Sequence, residues 1–436
     1  MTSTKRAAIV GTGHRAQLFT EGLAHREHID VAAFCDPNPV RMEHHNRLLS
    51  VAGRAPAATY GPDDFKKLLD VERIDTVVVT TVDVLHDEYI VAALRAGCRV
   101  VTEKPMTTDA DRCRKVLDAV ADTGGDLSVA FNYRFNPVHE LVRREISGGS
   151  IGEVLSVHFE WLLDVRHGAD YFRRWHREKD KSGGLMVHKA SHHFDLVNWW
   201  LGTRPQRVFG QGRLGFYGRE NGERTGYRRD YERAHNSPAA ADDPFALHLA
   251  DNDGLRALYL DAESVDGYCR DRNVFGDGIT IEDDMAVLVG YDSGASMSYH
   301  LTAYSPCEGY RVMFNGTAGR LELDVEESVW QRPRAKVTSA KGSVHGDTAL
   351  DNAGGARILV RPLWQQPREI EIPEFDHAGH GGGDARMLRA LFDGEDSDAA
   401  TATEVDGALA LATGLAANSA FVHGLPVAID DVVRIP

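Results

Sequence analysis

Through the first 130 residues, short apolar, β-branched runs alternate with amphipathic stretches of helical length. Strand candidates fall at residues 6–10, 31–35, 76–80, 99–102 and 127–131. Helical periodicity follows Gly13 and recurs at 38–49, 62–69, 87–96 and 109–121. Strands separated by helix-length segments predict a parallel sheet with crossover helices. From about Gly152 the texture changes. Residues 154–163, 208–213, 285–291, 295–302, 310–315 and 320–323 read as longer alternating strands between Gly, Asn and Asp turns, which predicts a mostly antiparallel sheet. Helices are expected at 189–201, 384–392 and 402–422. The stretch 215–273 is polar, rich in Arg and Asp and weakly periodic, so it reads as a long insertion or lid. The expected division is therefore a parallel-sheet domain over 1–127 and a second, mostly antiparallel domain over 128–436.

The sharpest local signal is Gly11-Thr12-Gly13-His14-Arg15-Ala16, which follows the first strand and opens the first helix. In that context it is a G-x-G-x-x-G/A dinucleotide fingerprint. Gly11 allows the tight turn, Gly13 lets a pyrophosphate approach the backbone, and Ala16 keeps the helix close to its strand so that its N-terminus faces the anion. Asp36 ends the second strand, 23 residues past Gly13. A carboxylate there accepts hydrogen bonds from adenosine ribose hydroxyls and repels a 2′-phosphate, which favours NAD over NADP.

Further segments stand beside this one: Thr80-Thr81-Val82 through His86, Glu103-Lys104-Pro105, and Asn132-Tyr133-Arg134-Phe135-Asn136-Pro137. Later come Ser182-Gly183-Gly184 leading to His192 and Asp195, and the glycine-rich run 379–384 around His380. On these residues the chain resembles the Gfo/Idh/MocA oxidoreductases, the family of glucose-fructose oxidoreductase and inositol dehydrogenase, over essentially its whole length. The resemblance implies an N-terminal Rossmann domain, α/β in class, and a C-terminal α+β domain with an open, mostly antiparallel sheet that presents substrate to the nicotinamide. It marks Thr80, His86 and Glu103 with the glycine loop as cofactor-binding, and Tyr133 and Asn132 as substrate contacts. It also places a catalytic histidine at His192, and at His188 this chain departs from a position that is typically acidic. Proton transfer is then shared among His188, His192 and Lys104.

Lys104 makes chemical sense on its own terms. At the carboxyl end of a parallel strand it points into the crevice where ligands of open α/β sheets lie, and it can stabilise an alkoxide as hydride leaves a carbinol carbon. Histidine suits the companion role because its ordinary pKa, about 6.5, lies near working pH. His188 and His192 are four apart on a predicted helix. No H-E-x-x-H carboxylate or third ligand accompanies them, so no metal is expected.

Composition and charge narrow the partners. The formal charge of −16 disfavours nucleic acid and anionic membranes, and no apolar run approaches the 18 residues of a span. Five cysteines without a C-x-x-C pair imply reduced thiols, hence a cytoplasmic setting. Against the overall balance, residues 166–193 carry seven Lys or Arg and three acids, a local +4 that leads into the helix of His192. Arg166, Arg174 and Lys189 are thus candidates for an anionic sugar group, with Trp175 as a stacking face.

The leading function is an NAD-dependent transfer of hydride from a ring carbon of a sugar, cyclitol or glycoside, anionic ones included. A second reading, implied by relatives of the family, is a redox-neutral NAD-dependent glycosidase acting by oxidation, elimination, hydration and reduction on a sulfosugar glycoside or uronide. A third is a non-catalytic sugar or NAD sensor, against which Lys104 and His192 argue. One face of the second sheet is expected to be apolar and hidden by another subunit, giving a homodimer or homotetramer.

Overall fold

The structure is a computed structural model that describes residues 4–331, 354–374, 381–394 and 401–436. The first sheet is built from β1 (Lys5–Val10), β2 (Ile29–Cys35), β3 (Ala58–Tyr60), β4 (Thr76–Val79), β5 (Arg99–Thr102) and β6 (Leu127–Val129) in the order β3-β2-β1-β4-β5-β6, all parallel. Its strands are buried nearly throughout because helices cover both faces, which is why they read as continuous apolar runs. Strand order reverses between β1 and β4, and the crevice at that switch point is where such sheets take ligands.

The second sheet comprises β7 (Val154–Asp164), β8 (Pro205–Arg213), β9 (Asp284–Tyr291), β10 (Ser296–Ser305), β11 (Glu308–Gly316), β12 (Gly319–Ser328), β13 (Ala356–Pro362) and β14 (Arg368–Ile370). Two short strands late in the chain tie the halves together: β15 (Ala402–Thr403) pairs antiparallel with β6, and β16 (Val427–Ala428) with β8. The nine-stranded order is β14-β13-β12-β11-β7-β10-β9-β8-β16, antiparallel except for the central β7–β10 pair. Alternation is clear on β7, where Val157, Phe159, Trp161 and Leu163 face the core while His158 and Glu160 face out. Ser298 and His300 of β10 lie on that outward face beside Leu288 of β9, so it is mostly polar rather than the apolar face expected.

Several boundaries differ from the sequence reading. A division at residue 127 falls at the start of β6, and the chain returns to the first sheet through helix Gly383–Phe392, whose Met387, Leu388 and Leu391 pack with Phe19 and Leu23. The helix expected at 189–201 is two segments, Leu185–His188 and Ala190–Leu201, broken at Lys189. Helix Glu404–His423 is apolar and long enough to cross a membrane by composition, yet most of its apolar window is buried against β8 and Ala190–Leu201. Gly414 allows that approach, since a Cβ there would meet the Met186 carbonyl oxygen at 2.4 Å. The insertion 215–273 contains short helices and a small core of its own, Leu247, Leu249, Leu255, Leu258 and Tyr259.

Candidate active site

The glycine loop sits between the ends of β1 and β4. Gly11 has φ +84°, and a Cβ there would meet Thr81 Cα at 2.6 Å, so only glycine fits. Thr80 Oγ1 donates to the Gly11 carbonyl at 2.6 Å and fixes the loop against β4. Among the described residues, nothing lies within 4 Å of a Cβ on Gly13, and the Nδ1 of neighbouring His14 is buried without a hydrogen-bond partner. Room and an unsatisfied polar atom at a helix N-terminus fit a dinucleotide phosphate. Asp36 is buried and accepts from the amides of Thr12 (2.7 Å) and Asn38 (2.8 Å), one on each oxygen. A carboxylate keeps further lone pairs for ribose hydroxyls. Asp36→Ala is expected to weaken NAD on the order of ten- to a hundred-fold and to narrow the NAD over NADP preference, the range for a lost charge-assisted bond. Titration of both nucleotides by fluorescence checks it, and an unchanged preference would sink the assignment.

Other cofactor-side residues are more constrained than expected. Arg15 is engaged by Glu103 (2.6 Å) and by Asp384 (3.2 Å) of the late helix, which hold its guanidinium well above the usual range. His86 is fully buried, with Nδ1 at 2.9 Å from the Pro105 carbonyl and Nε2 at 3.2 Å from that of Thr81, so it braces two turns rather than facing the cleft. Asn132 donates to Asp384 at 2.7 Å and belongs to the same junction. His380 lies outside the described residues.

The candidate catalytic residues converge at the carboxyl end of β5. Lys104 follows β5 and donates from Nζ to the His188 carbonyl at 3.1 Å. Burial pushes its ammonium down to about 8, partly opposed by Asp83. Lys189 Nζ donates to the Tyr133 hydroxyl at 3.1 Å and lies 4.8 Å from the Trp161 ring centroid. Tyr133 stacks on His192 with centroids 4.5 Å apart. His188 Nδ1 meets Asp83 Oδ2 at 2.5 Å. Burial raises the Asp83 carboxyl well above its usual range, while burial and the charges of Lys104 and Arg174 lower the His188 imidazole well below its own. Trp175 stacks on His176 at 3.6 Å, and His176 meets His188 edge-on at 4.1 Å. Lys104, Tyr133, His188, Lys189, His192 and Trp175 thus form one contiguous group.

Asp195, part of the recognised motif, braces instead of reacting: Arg134 grips it bidentately at 2.8 and 2.6 Å and reaches Asp406 at 3.0 Å. Much of the cationic stretch is likewise paired, Arg174 with Asp170 at 3.1 Å and Lys181 with Glu178 at 2.8 Å. Arg166 opens helix Val165–Arg173 half-buried, its amide on Asp164.

Asp83 was invisible to linear spacing. It supplies the third donor that the two-histidine pattern lacks: Asp83, His176 and His188 bring ligand atoms within 4.8 Å of one another, all buried. Two histidines and a carboxylate fit zinc in kind. The charges of Lys104 and Arg174 bear on both Asp83 and His188, which opposes a resident dication, so a hydrogen-bonded pair is the better account of Asp83 and His188.

Comparison with known proteins gives the family and the fold. Residues 5–131 match the oxidoreductase family's NAD-binding Rossmann fold, and residues 143–429 match that family's C-terminal alpha/beta domain. The Bacillus subtilis (strain 168) oxidoreductase YteT is 34% identical over 412 residues, covering 90% of this chain and 89% of that protein. An inositol 2-dehydrogenase of Rhizobium meliloti is 30% identical over 205 residues, 47% of this chain and 57% of its own length. Among solved structures, an oxidoreductase domain protein from Kribbella flavida superposes with a TM-score of 0.66 at 18% identity, covering 98% of this chain and 100% of that one. A Gfo/Idh/MocA fold is therefore shared along the whole length, and the chain belongs to the Gfo/Idh/MocA oxidoreductase family, with an N-terminal NAD-binding Rossmann domain.

Proposed function

We propose that the protein oxidises a ring hydroxyl of a sugar, cyclitol or glycoside. The observation that carries this reading is a buried lysine, pushed down to about 8, at the carboxyl end of β5 beside Tyr133, His192 and the Asp83–His188 pair. NAD, when bound, accepts the hydride. Lys104, neutral in part near pH 8, takes the hydroxyl proton at Nζ while its N–H stays anchored on the His188 carbonyl. Tyr133, stacked between His192 and Trp161, holds His192 in place, and Lys189 fixes the Tyr133 hydroxyl. Lys189, beside the Tyr133 hydroxyl, favours an anionic substrate, a uronic or sulfonated sugar, by charge.

The Asp83–His188 pair favours a second reading. Elimination of an aglycone needs a proton acceptor and donor beyond the group that serves the oxidised hydroxyl, and His188, oriented through Nδ1 by Asp83, is such a group. The test incubates protein with NAD and neutral and acidic sugars and their aryl glycosides, following NADH and aglycone together. NADH in proportion to substrate is the result expected for a dehydrogenase. Aglycone release that requires NAD without consuming it would establish the redox-neutral glycosidase. No turnover with any of these, despite NAD binding, would overturn both in favour of a sensor.

A further inference from the structure

One buried carboxylate in this protein faces three guanidinium groups. Asp170 receives Arg270 at 2.7 Å, Arg174 at 3.1 Å and Arg173 at 3.4 Å. Asp170, Arg173 and Arg270 are nearly inaccessible, and Nε and Nη1 of Arg270 are buried with no hydrogen-bond partner among the described residues. Taken as ionised, the group carries two positive charges in excess, away from water, where an unpaired charge is costly. It lies beside the glycine loop: after burial itself, Arg270 and Arg174 are the main causes that push the His14 imidazole down to about 4. A dinucleotide pyrophosphate carries two negative charges and docks at that loop.

Arg270 belongs to the insertion, and the same insertion also grips the other end of the cleft. Asp266 accepts from Arg41 Nη1 at 2.6 Å and from Asn38 Nδ2 at 3.0 Å, both residues of the turn and helix that follow Asp36. The Leu258 carbonyl accepts from Arg41 Nε at 3.1 Å, and the Ala262 carbonyl from Asn38 at 2.9 Å. A segment that leaves β8 and returns to β9 of the substrate domain therefore reaches the adenosine side at Asp266 and the phosphate side at Arg270.

We propose that residues 256–272 are a clasp over the cofactor, with Arg270 donating from Nε and Nη1 to the pyrophosphate, which slows the exchange of NAD. The three-arginine group is balanced only when the dianion is present, so the clasp is most stable closed on bound cofactor. Slow exchange limits how fast NADH leaves without preventing its release, and the clasp rests on the NAD-binding assignment rather than on the substrate proposed above.

The test reads cofactor, with no substrate present. Purified protein is freed of small molecules by gel filtration, denatured, and its nicotinamide nucleotide counted; the release rate of added NAD is then followed by fluorescence. The expected result is close to one nucleotide retained per chain and slow release, with Arg270→Ala accelerating release on the order of ten- to a hundred-fold. Asp170 keeps Arg173 and Arg174 in that variant, so the fold is expected to hold, and the melting temperature without NAD checks it. Asp266→Ala, which removes the tether to Asn38 and Arg41 together with a turn bond from the Tyr268 amide, is expected to speed binding and release together with a smaller change in Kd. Release as fast as in an open Rossmann enzyme, or unchanged in both variants, would overturn the clasp. So would an Arg270→Ala variant that keeps NAD but loses affinity for anionic glycosides, since the charge would then belong to the substrate.

Discussion

Lys104→Met is expected to lower kcat/KM for ring-hydroxyl oxidation on the order of 10²- to 10⁴-fold, the range for loss of a positioned acid–base group, with NAD affinity close to the parent's. Methionine keeps the length and apolar stem and removes only the nitrogen. The pH profile gives a sharper check. Burial disfavours the ammonium and lowers Lys104 to about 8; Asp83 and Glu103 oppose this, while Lys189 and Arg15 add to it. The competent form is the neutral amine, so oxidation rises with pH through about 8 and levels above. Asp83→Asn removes the largest opposing charge and shifts the rise to lower pH. An arginine at 104 stays charged throughout and restores nothing. A flat profile between pH 6 and 9, or a Met variant within threefold of the parent, would remove Lys104 from the chemistry.

Much of this site was legible in the sequence because it is made of local signals. The glycine loop, Asp36 and Lys104 each sit at the end of a buried strand, and strand ends in a parallel sheet are marked by where the apolar run stops. The second sheet's alternation was equally readable. What linear reading missed lies in contacts between distant segments. Asp83 follows β4 and meets His188 across 105 positions, and Asp384 reaches Arg15 across 369. No periodicity encodes such pairs. Asn132 and His86 were assigned to ligand by their motifs, while the structure engages the Asn132 amide nitrogen with Asp384 and both His86 ring nitrogens with backbone carbonyls. The insertion was unreadable for a related reason. Its side chains are polar because they pair with one another and with Asn38, Arg41 and Asp170, so partner-satisfied charge looked like solvated charge.

The Arg134–Asp195 pair shows the same principle at greater energetic stake. Both side chains are almost wholly inaccessible, and the pair joins the junction turn to helix Ala190–Leu201, which carries His192. Arg134→Met leaves a carboxylate in the interior with no counter-charge, and the expected loss is about 3–5 kcal/mol of unfolding free energy. Burial already raises Asp195 to about 6 with Arg134 in place, so without it the folded-state pKa climbs further above the ordinary Asp value of about 3.9. The folded variant then binds more protons than the unfolded chain. Because burial holds Asp195 at about 6 in the parent, the variant's deficit relative to the parent grows as pH rises from about 6 toward that raised pKa, and it is smallest in acid. Arg134→Met with Asp195→Leu removes both charges and is expected to recover most of the loss, leaving Asp406, partly exposed, to water. Urea unfolding at pH 5 and pH 8 measures all three proteins. A single variant within about 1 kcal/mol of the parent at pH 8, or a double variant no better than the single, would show that the pair does not hold this helix.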